Sequence, residues 1–287
     1  MKVIAGPPLL LFDAHNHIHL GMVSPCTIDL SSKVGGIALM STHPRDFPIV
    51  SQLCDTGCNR KDGRMLLVPC FGVHPWFLHQ VEDGGAEEDG WLSELKGQLE
   101  RHPHAAVGEI GLDGHRYHPQ SRTLVSSMED QVQALEAQMR VAHSYQRACS
   151  VHAVQCWGPL MTLLSKLKRE RQLPPKLYFH AFGAKVGFVD QLLALLSGQK
   201  QQTELFFGFA PVINLSRCTQ QHQKTAEVIR KVGMDRIVLE TDVEDASCVY
   251  PDLVIGAQFL SDTLQIPLED VVKKAWDNSK RLYGISS

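Results

Sequence analysis

Short, continuously apolar runs recur along the whole chain, and segments with helical spacing lie between them. Strands that are buried on both faces have this composition, because neither face meets water. The chain contains eight such runs, so the pattern predicts a parallel sheet of eight strands that is covered by helices. The runs are Leu9–Phe12, Gly35–Met40, Leu66–Val73, Ala105–Ile110, Ala148–His152, Leu177–His180, Leu205–Phe209 and Arg236–Leu239.

Two of the segments between the runs, and the segment that closes the chain, carry clear helix signals. Ser126 and Glu129 have the spacing of a capping box at a helix start. The segment from Val186 to Leu196 carries one apolar stripe, and a last helix runs from Leu268 to its end at Gly284. Strand and helix alternate throughout, which indicates either a closed barrel or an open doubly wound sheet. We predict the closed α/β form, a (β/α)₈ TIM barrel.

Length and composition agree with that fold. The chain has 287 residues, and eight-fold βα barrels have about 250, so we expect a single domain over residues 1–287. Hydrophobic residues make up 44% and charged residues 21%, as is ordinary for a globular protein. The 28 basic and 31 acidic side chains exclude a broadly basic surface. Any nucleic acid would therefore be bound locally or through metal ions.

Cysteine usage and hydropathy bear on the cellular compartment. The eight cysteines are scattered without a Cys-x-x-Cys pair, which is typical of free thiols in an intracellular protein. The first apolar run is too short for the core of a signal peptide. No run approaches the roughly 18 apolar residues of a membrane span. We expect a cytoplasmic protein, with the nucleus as a second compartment, and no membrane partner.

Side chains that bind metal ions stand at the ends of five predicted strands. They are His15 and His17 after the first strand, Glu109 and Asp113 at the end of the fourth, His152 and His180 at the ends of the fifth and sixth, and Glu240 and Asp242 after the eighth. Active sites of βα barrels lie at the carboxyl ends of the strands, so these side chains are expected at one mouth. His15 and His17 share one face of a strand, so both imidazoles can reach one ion.

Each of these signals also has a structural interpretation when it is taken alone. An isolated His-x-His pair is usually a surface feature, and a lone strand histidine such as His152 or His180 is more often part of the core. Asp242 is also compatible with a helix cap. Glu109 is also compatible with a salt bridge, but its apolar neighbours and two flanking glycines favour a cation and close backbone approach. The coincidence of five strand ends favours a metal centre.

Three further residues are weaker candidates for substrate contacts. His74 ends the third run, and a structural role is as compatible with its position as a place at the mouth. Arg116 lies in the loop after the fourth run, where it either meets a phosphate or is a solvated loop residue. Lys185 follows the sixth run and, like Arg116, would add positive charge at the mouth.

Together these motifs resemble the TatD-like family of metal-dependent hydrolases, within the wider amidohydrolase-type barrels. They follow the family's order and, with a closing helix at Asn278–Leu282, cover nearly the whole chain. The motifs are Asp13-Ala-His15-Asn-His17, Gly72-Val-His74-Pro, Gly108-Glu109-Ile-Gly-Leu-Asp113, His152, His180-Ala-Phe and Glu240-Thr-Asp242.

The resemblance implies two divalent metal ions, expected to be Mg²⁺, with Zn²⁺ or Mn²⁺ as alternatives. The implied ligands are His15, His17 and Asp242 for one ion, His152 and His180 for the other, and Glu109 for both. It also implies a deoxyribonuclease that resembles 3′–5′ exonucleases and acts on DNA ends. A metal-activated water would attack the phosphodiester, with Asp242 as the proton acceptor. Protein partners are not indicated.

The residues after three of the implied ligands depart from the common family pattern. Ala153-Val154-Gln155 stands where many members have Ser-Arg-Asp, Ala181–Ala184 where many have Cys-Phe-Ser-Gly, and Val243-Glu244 where many have Ser-Pro. Because these positions are expected to contact substrate, an amidohydrolase-like enzyme for a small amide or lactone is a second hypothesis. Such enzymes often carry a carboxylated lysine in the fourth strand. In this chain Glu109 takes that place, which favours the nuclease. A barrel that serves mainly in protein binding is a third hypothesis.

Overall fold

A curled parallel sheet of seven strands is the centre of the fold. The computed structural model describes residues 9–21, 30–56, 59–60, 63–81, 90–118, 121, 123–196, 203–215 and 219–285. The strands are β1 (Leu11–Asn16), β2 (Val34–Met40), β3 (Leu66–Phe71), β4 (Ala106–Asp113), β5 (Ala148–Val154), β6 (Lys176–Phe179) and β7 (Glu204–Phe207). Each strand pairs in parallel with the next one in the chain.

Helices connect the successive strands from β2 onward and cover the outside of the sheet. The helices of the described part are α1 (Phe47–Thr56), α2 (Trp91–Arg101), α3 (Met128–Ser144), α4 (Trp157–Glu170), α5 (Val186–Leu196), α6 (Thr219–Val232), α7 (Ala246–Leu264) and α8 (Leu268–Tyr283). A two-stranded hairpin, Asn59–Arg60 with Gly63–Arg64, lies between α1 and β3. Within the described ranges, no helix is both long and apolar enough to cross a bilayer.

Seven of the eight predicted strands are confirmed, and the eighth is not a regular strand. In the run Arg236–Leu239, only Ile237 pairs, through a single parallel bridge to Phe207 in β7. Two features interrupt the extended geometry that a ladder needs. A 3₁₀ turn, Met234–Arg236, takes up the start of the run, and Asp242 beyond its end has left-handed backbone with φ of 60°.

The segment Ile237–Val243 nevertheless lies between β7 and β1. On one side, the backbone N–H of Val238 donates to the carbonyl of Phe207 at 3.0 Å. On the other side, β1 and the residue after it exchange hydrogen bonds with the segment: Ala14 N–H donates to the Leu239 carbonyl at 2.8 Å, and Asp242 N–H to the His15 carbonyl at 2.9 Å. The segment therefore places the Glu-Thr-Asp motif beside the end of β1.

Two groups of buried apolar side chains hold these layers together. The larger group packs the helices against the outside of the sheet. The smaller group fills the inside of the curl and takes a side chain from every strand and from the segment after β7. Its members from these elements include Phe12, Ala38, Val68, Ala106, Ala148, Tyr178, Phe206 and Val238.

The predicted helices are present, but one cap is shifted by a residue. The N-cap of α3 is Ser127, whose hydroxyl accepts a 3.1 Å hydrogen bond from the N–H of Asp130. The Ser126 hydroxyl, predicted as the cap, instead accepts from the backbone N–H of His79 at 3.2 Å. A contact between distant segments thus decides the helix start. The last helix ends as predicted, at Gly284 in left-handed backbone.

None of the described cysteines forms a disulfide bond, as predicted. They are Cys54, Cys70, Cys149, Cys156 and Cys248. The remaining three, Cys26, Cys58 and Cys218, lie outside the described residues.

Candidate metal centre

The six implied metal ligands converge at the carboxyl end of the sheet. His15 belongs to β1, Glu109 to β4 and His152 to β5. His17 follows β1, His180 follows β6, and Asp242 ends the segment beside β1. His152 and Asp242 are half-buried and the other four are buried. The parallel strands bring these side chains together because their carboxyl ends meet at one edge.

Four donor atoms form the first cluster. His17 Nε2 lies 3.1 Å from Glu109 Oε2 and 3.4 Å from Asp242 Oδ1. His15 Nε2 lies 3.2 Å from His17 Nε2 and 3.5 Å from each of the same two carboxylate oxygens. Four tetrahedral ligands at roughly 2.1 Å from a divalent ion lie about 3.4 Å from one another. The spacing of the His15, His17 and Glu109 atoms therefore fits a single ion, and Asp242 Oδ1 lies at a similar distance from both histidines.

A second cluster forms around the other oxygen of Glu109. His180 Nε2 lies 2.7 Å from Glu109 Oε1, and His152 Nδ1 lies 3.1 Å from the same atom. Because Oε2 belongs to the first cluster and Oε1 to the second, the carboxylate has the geometry of a bridge between two ions. Despite the short contact with Glu109, neither ring nitrogen of His180 makes a hydrogen bond of normal geometry with a described residue, and a bound cation would satisfy Nε2.

The ring nitrogens of His17 and His152 that face away from the clusters are held by acceptors. His17 Nδ1 lies 2.8 Å from the Met40 carbonyl, and His152 Nε2 lies 3.1 Å from Asp113 Oδ2. Carbonyls and carboxylates only accept, so these two nitrogens carry protons, and the opposite nitrogens are the ones that would bind an ion once deprotonated. His15 Nδ1 contacts the Ser150 hydroxyl at 2.9 Å. The donor atoms are thus oriented as metal ligands require.

Asp113 supports this centre from behind rather than joining either cluster. Its Oδ2 accepts hydrogen bonds from Trp76 Nε1 at 2.7 Å and from His152 Nε2 at 3.1 Å. Its Oδ1 accepts from the backbone N–H groups of His115 at 2.7 Å and Arg116 at 3.1 Å. Burial raises the pKa of Asp113, but these hydrogen bonds outweigh it and hold the pKa well below its usual range. The ionised carboxylate fixes the orientation of His152.

The same electrostatics act on the histidines of the second cluster. Burial lowers the pKa of His152, but hydrogen bonds from its ring to Asp113 and Glu109 outweigh burial and raise the pKa to about 9. His74 differs, because burial prevails over the nearby Glu109 charge and lowers its pKa to about 4. The Nδ1 of His74 accepts a 3.1 Å hydrogen bond from the backbone N–H of Trp76. The proton of neutral His74 is therefore on Nε2, which lies 3.3 Å from Glu109 Oε1. In this tautomer His74 donates to Glu109 rather than offering a lone pair to an ion, although its position beside Glu109 and His152 is also that of a metal ligand.

Two glycines explain why β4 can carry Glu109 so close to β5. A Cβ at Gly108 would lie 2.8 Å from the Cβ of Ser150, the residue that contacts His15. A Cβ at Gly111 would overlap the backbone carbonyl of His152. Glycine at both positions therefore allows the close backbone approach that the sequence predicted around Glu109.

The two acidic residues next to the clusters anchor the backbone that carries the ligands. Asp13 accepts from Thr241 through its hydroxyl at 2.6 Å and its N–H at 3.0 Å, which joins β1 to the Glu-Thr-Asp motif. Glu240 accepts from the Tyr178 hydroxyl and, at 2.7 Å, from the N–H of Ala181. Burial raises the pKa of Glu240 to about 7. Asp13 thus positions Asp242 through its neighbour Thr241, and Glu240 positions His180 through its neighbour Ala181.

A cavity of about 710 Å³ opens over the two clusters. His74 and Arg116, two of the three predicted substrate contacts, line it. Lys185, the third, is exposed but is not part of this lining. Much of the remaining wall is apolar or aromatic and consists of Leu20, Trp76, Phe77, Tyr117, Ala153, Val154 and Ile213.

Comparison with known proteins identifies the family of the chain. The profile of the family described as TatD related DNase matches residues 12–284. The chain belongs to the TatD-related DNase family. The family predicted from the sequence motifs is therefore confirmed, and with it a metal-dependent hydrolase. Of the positions that depart from the common pattern, Ala153, Val154, Ala181 and Glu244 line the cavity, whereas Phe182, Ala184 and Val243 are buried in the apolar core.

Two relatives are similar over most of the chain. The Cut9-interacting protein scn1 of Schizosaccharomyces pombe is 25% identical over 325 aligned positions, which cover 88% of this chain and 92% of that protein. The uncharacterized metal-dependent hydrolase YjjV of Escherichia coli is 27% identical over 216 positions, which cover 74% of this chain and 69% of that protein.

Solved structures of the family share the fold. The crystal structure of YjjV superposes with a TM-score of 0.71 at 22% identity, over 98% of this chain and 100% of that one. A TatD family hydrolase from Entamoeba histolytica superposes with a TM-score of 0.73 at 17% identity and the same coverage. At these identities the likeness concerns the fold alone.

Proposed function

We propose that this family member hydrolyses phosphodiester bonds at DNA ends, in the manner of a 3′–5′ exonuclease. The observation that carries the proposal is the pair of donor clusters that share Glu109 at the floor of an open cavity. Two ions, when bound, would activate a water near neutral pH and stabilise charge on the attacking and leaving oxygens. His15, His17 and Asp242 would hold one, and His152 and His180 the other.

The residues themselves supply orientation and a proton acceptor. Asp242 directs Oδ1 to His15 and His17, and no hydrogen bond or ion pair joins Oδ2 to another described residue. That second oxygen is therefore available to accept the proton of the attacking water. Asp113 and His74 keep His152 and Glu109 in their orientations, so the donor atoms need no rearrangement during the reaction.

The donor set bears on which ion the site takes. Four imidazoles and two carboxylates surround the two positions, whereas Mg²⁺ prefers oxygen ligands and retains several waters. Imidazole suits Zn²⁺, and Mn²⁺ accepts mixed nitrogen and oxygen ligands. We therefore favour Zn²⁺ or Mn²⁺ over the Mg²⁺ expected from the family resemblance.

We also infer that the segment Ile237–Val243 completes a closed (β/α)₈ barrel within a single domain. Its hydrogen bonds to β7 on one side and to β1 on the other support the closure. The inner apolar group supports it as well, because Val238 joins the side chains of all seven strands there. A closed barrel would keep the two donor clusters at a fixed separation.

The nature of the cavity wall supports DNA ends as the substrate. Among the described lining residues, Arg116 is the one lysine or arginine. A duplex binder neutralises many phosphates with basic side chains, which this wall does not offer. The bound ions would supply most of the positive charge, and such a site binds one or two phosphates of a strand end.

The test is hydrolysis of a 3′-ended single-stranded oligonucleotide by metal-loaded protein. We expect shortening of the oligonucleotide from its 3′ end, loss of activity with a chelator, and recovery when Zn²⁺ or Mn²⁺ is restored. A closed circle of the same sequence serves as the matched substrate and should resist. Rapid turnover of small amides or lactones without any cleavage of oligonucleotides would support the amidohydrolase hypothesis and overturn the nuclease.

Protein binding is a second candidate function. It is favoured by one relative, scn1, which is named for its interaction with Cut9. The Glu109→Ala variant, which lacks the carboxylate shared by the two clusters, separates the two functions. If wild type and this variant recover a binding partner equally, the binding does not need catalysis. The cytoplasmic or nuclear location stays a prediction.

A further inference from the structure

Trp76 lies in the cavity wall, and neither the motifs nor the donor clusters give it a role. Its indole Nε1 donates to Asp113 Oδ2 at 2.7 Å. Its ring meets the His74 ring edge to face with centroids 5.0 Å apart, and its centroid is 6.1 Å from that of His152. The ring is therefore fixed by three groups of the metal centre, while 36% of the residue remains exposed.

Arg116 lies on this ring. Its guanidinium carbon is 4.7 Å from the centroid of Trp76, and its backbone N–H donates to Asp113 at 3.1 Å. Stacking uses the flat face of a guanidinium, so its in-plane N–H groups remain free to donate. Trp76 and Asp113 together thus hold the Arg116 side chain in one place beside the metal centre.

The charge of Arg116 is not neutralised by a carboxylate of the described chain. The lining contains the acidic residues Glu109, Asp113, Asp242 and Glu244, but no ion pair joins any of them to this guanidinium. Glu109 and Asp242 face the histidine clusters, and Asp113 accepts from Trp76 and His152. Arg116, the one lysine or arginine of the described lining, therefore makes no ion pair with these carboxylates, and its guanidinium N–H groups are available to an anionic ligand.

The geometry points to a clamp for a second anionic group of the substrate, formed by the guanidinium of Arg116 and the ring of Trp76. We call this pair the Trp76–Arg116 clamp. The group that it fits is a phosphate one nucleotide away from the scissile bond. The inference rests on the proposed phosphodiesterase function and adds to it a second subsite and a specificity-determining residue, Trp76.

Phosphate is the chemistry that this arrangement matches best. The planar fork of a guanidinium binds two phosphate oxygens at once, and a fixed fork loses less side-chain entropy on binding than a free one. Two ring contacts in series, 6.1 Å from His152 to Trp76 and 4.7 Å from Trp76 to Arg116, separate the clamp from the metal centre. These contacts set an upper limit on the distance from Arg116 to the His152 ring, and a phosphate that neighbours the one at the ions lies within that limit.

The test compares the binding of two probes to metal-loaded protein, a nucleoside 3′,5′-bisphosphate and the matching 5′-monophosphate. Wild type should bind the bisphosphate about 10- to 100-fold more tightly, because the second phosphate gains charge-assisted hydrogen bonds. Arg116→Ala should lose this preference with little change for the monophosphate. Arg116→Lys should keep part of it, since the charge stays but the planar fork is lost.

Two substitutions at Trp76 separate the ring from its N–H group. Trp76→Phe keeps a ring under the guanidinium and should retain most of the preference, whereas Trp76→Leu removes the ring and should lose most of it. Arg45→Ala is the control, because Arg45 is an exposed cation in the turn after β2 and does not line the cavity. It should bind both probes as wild type does. Metal content is measured for each variant, so that a lost ion is not mistaken for a lost clamp.

Equal binding of the two probes by wild type would overturn the clamp, and so would an unchanged preference in Arg116→Ala. A preference for the bisphosphate without hydrolysis of any phosphodiester would leave the clamp in place and reject the proposed function. Hydrolysis of oligonucleotides without the preference would reject the clamp alone.

Discussion

Replacing Asp113 with Asn is the most informative change at the metal centre, because it alters charge and hydrogen bonding without altering shape. Both carboxylate oxygens act as acceptors, Oδ2 for Trp76 and His152 and Oδ1 for the backbone of His115 and Arg116. An asparagine offers one oxygen and one NH₂ group. One of the two pairs of donors must therefore face another donor and lose its hydrogen bonds.

The magnitude follows from what His152 loses. The loop N–H groups are fixed by the chain, so we expect the NH₂ group to turn towards Trp76 and His152. His152 then loses the acceptor that fixes its tautomer, and partners of this kind contribute about 10- to 100-fold to metal affinity, or about 1.4 to 2.7 kcal/mol. The first cluster, built on His15 and His17, does not contact Asp113 and should keep its affinity.

The assay is a titration of metal-free protein with Zn²⁺ in competition with a chelator, which resolves two binding steps. We expect one affinity to fall about 10- to 100-fold in Asp113→Asn and the other to stay within about threefold, allowing for indirect effects of the kind that neighbouring sites exchange. His222→Asn serves as a control, since His222 bonds to the Leu215 carbonyl away from the centre. Equal loss at both steps, or no loss at either, would refute the role assigned to Asp113.

Three other changes test the remaining parts of the centre. Glu109→Ala should lower the content of both ions, because the two clusters share this carboxylate; elemental analysis that still finds two ions would rule out the bridge. Asp242→Asn should reduce turnover by about 10²- to 10⁴-fold while retaining much of the metal, and kcat measured alongside metal content decides this. Gly111→Ala should lower the free energy of unfolding by about 2 kcal/mol or more, as large local clashes do, because the added Cβ overlaps the His152 carbonyl; an unchanged denaturation midpoint would contradict it. Binding of a short 3′-ended oligonucleotide should weaken with salt at a slope corresponding to roughly two or three phosphates, and a slope typical of an eight-phosphate binder would show an unrecognised basic surface.

The strands were predictable because each is buried on both faces and so forms a continuous apolar run. The run before Asp242 illustrates the limit of this signal. Val238 and Leu239 are buried as fully as strand residues, but the left-handed backbone at Asp242 and the 3₁₀ turn at Met234–Arg236 leave only one bridge. Burial sets the apolar composition, whereas the ladder depends on backbone geometry that composition does not encode.

The convergence of the six implied ligands was predictable for a related reason. Parallel topology places the carboxyl ends of all strands at one mouth, so a histidine or an acidic residue at the end of a strand lies at that mouth. The division of Glu109 between two clusters was implied by the family resemblance, and the 3.1 Å and 2.7 Å contacts of its two oxygens agree with it. The assignment of these atoms to actual ions stays a prediction that metal analysis must test.

Asp113, His74 and Trp76 show why the supporting residues were harder to assign. Their roles depend on which nitrogen or oxygen of a side chain meets which partner, and a sequence carries no information at that scale. His74 was expected near substrate. The backbone N–H of Trp76, however, fixes the tautomer of His74 so that the ring proton of His74 faces Glu109. Trp76 gave no signal because an aromatic residue near a strand end is most often part of the core. Its position between Asp113 and Arg116 links the orientation of a metal ligand to the placement of a cavity cation, so a substitution there should change metal affinity and anion preference together.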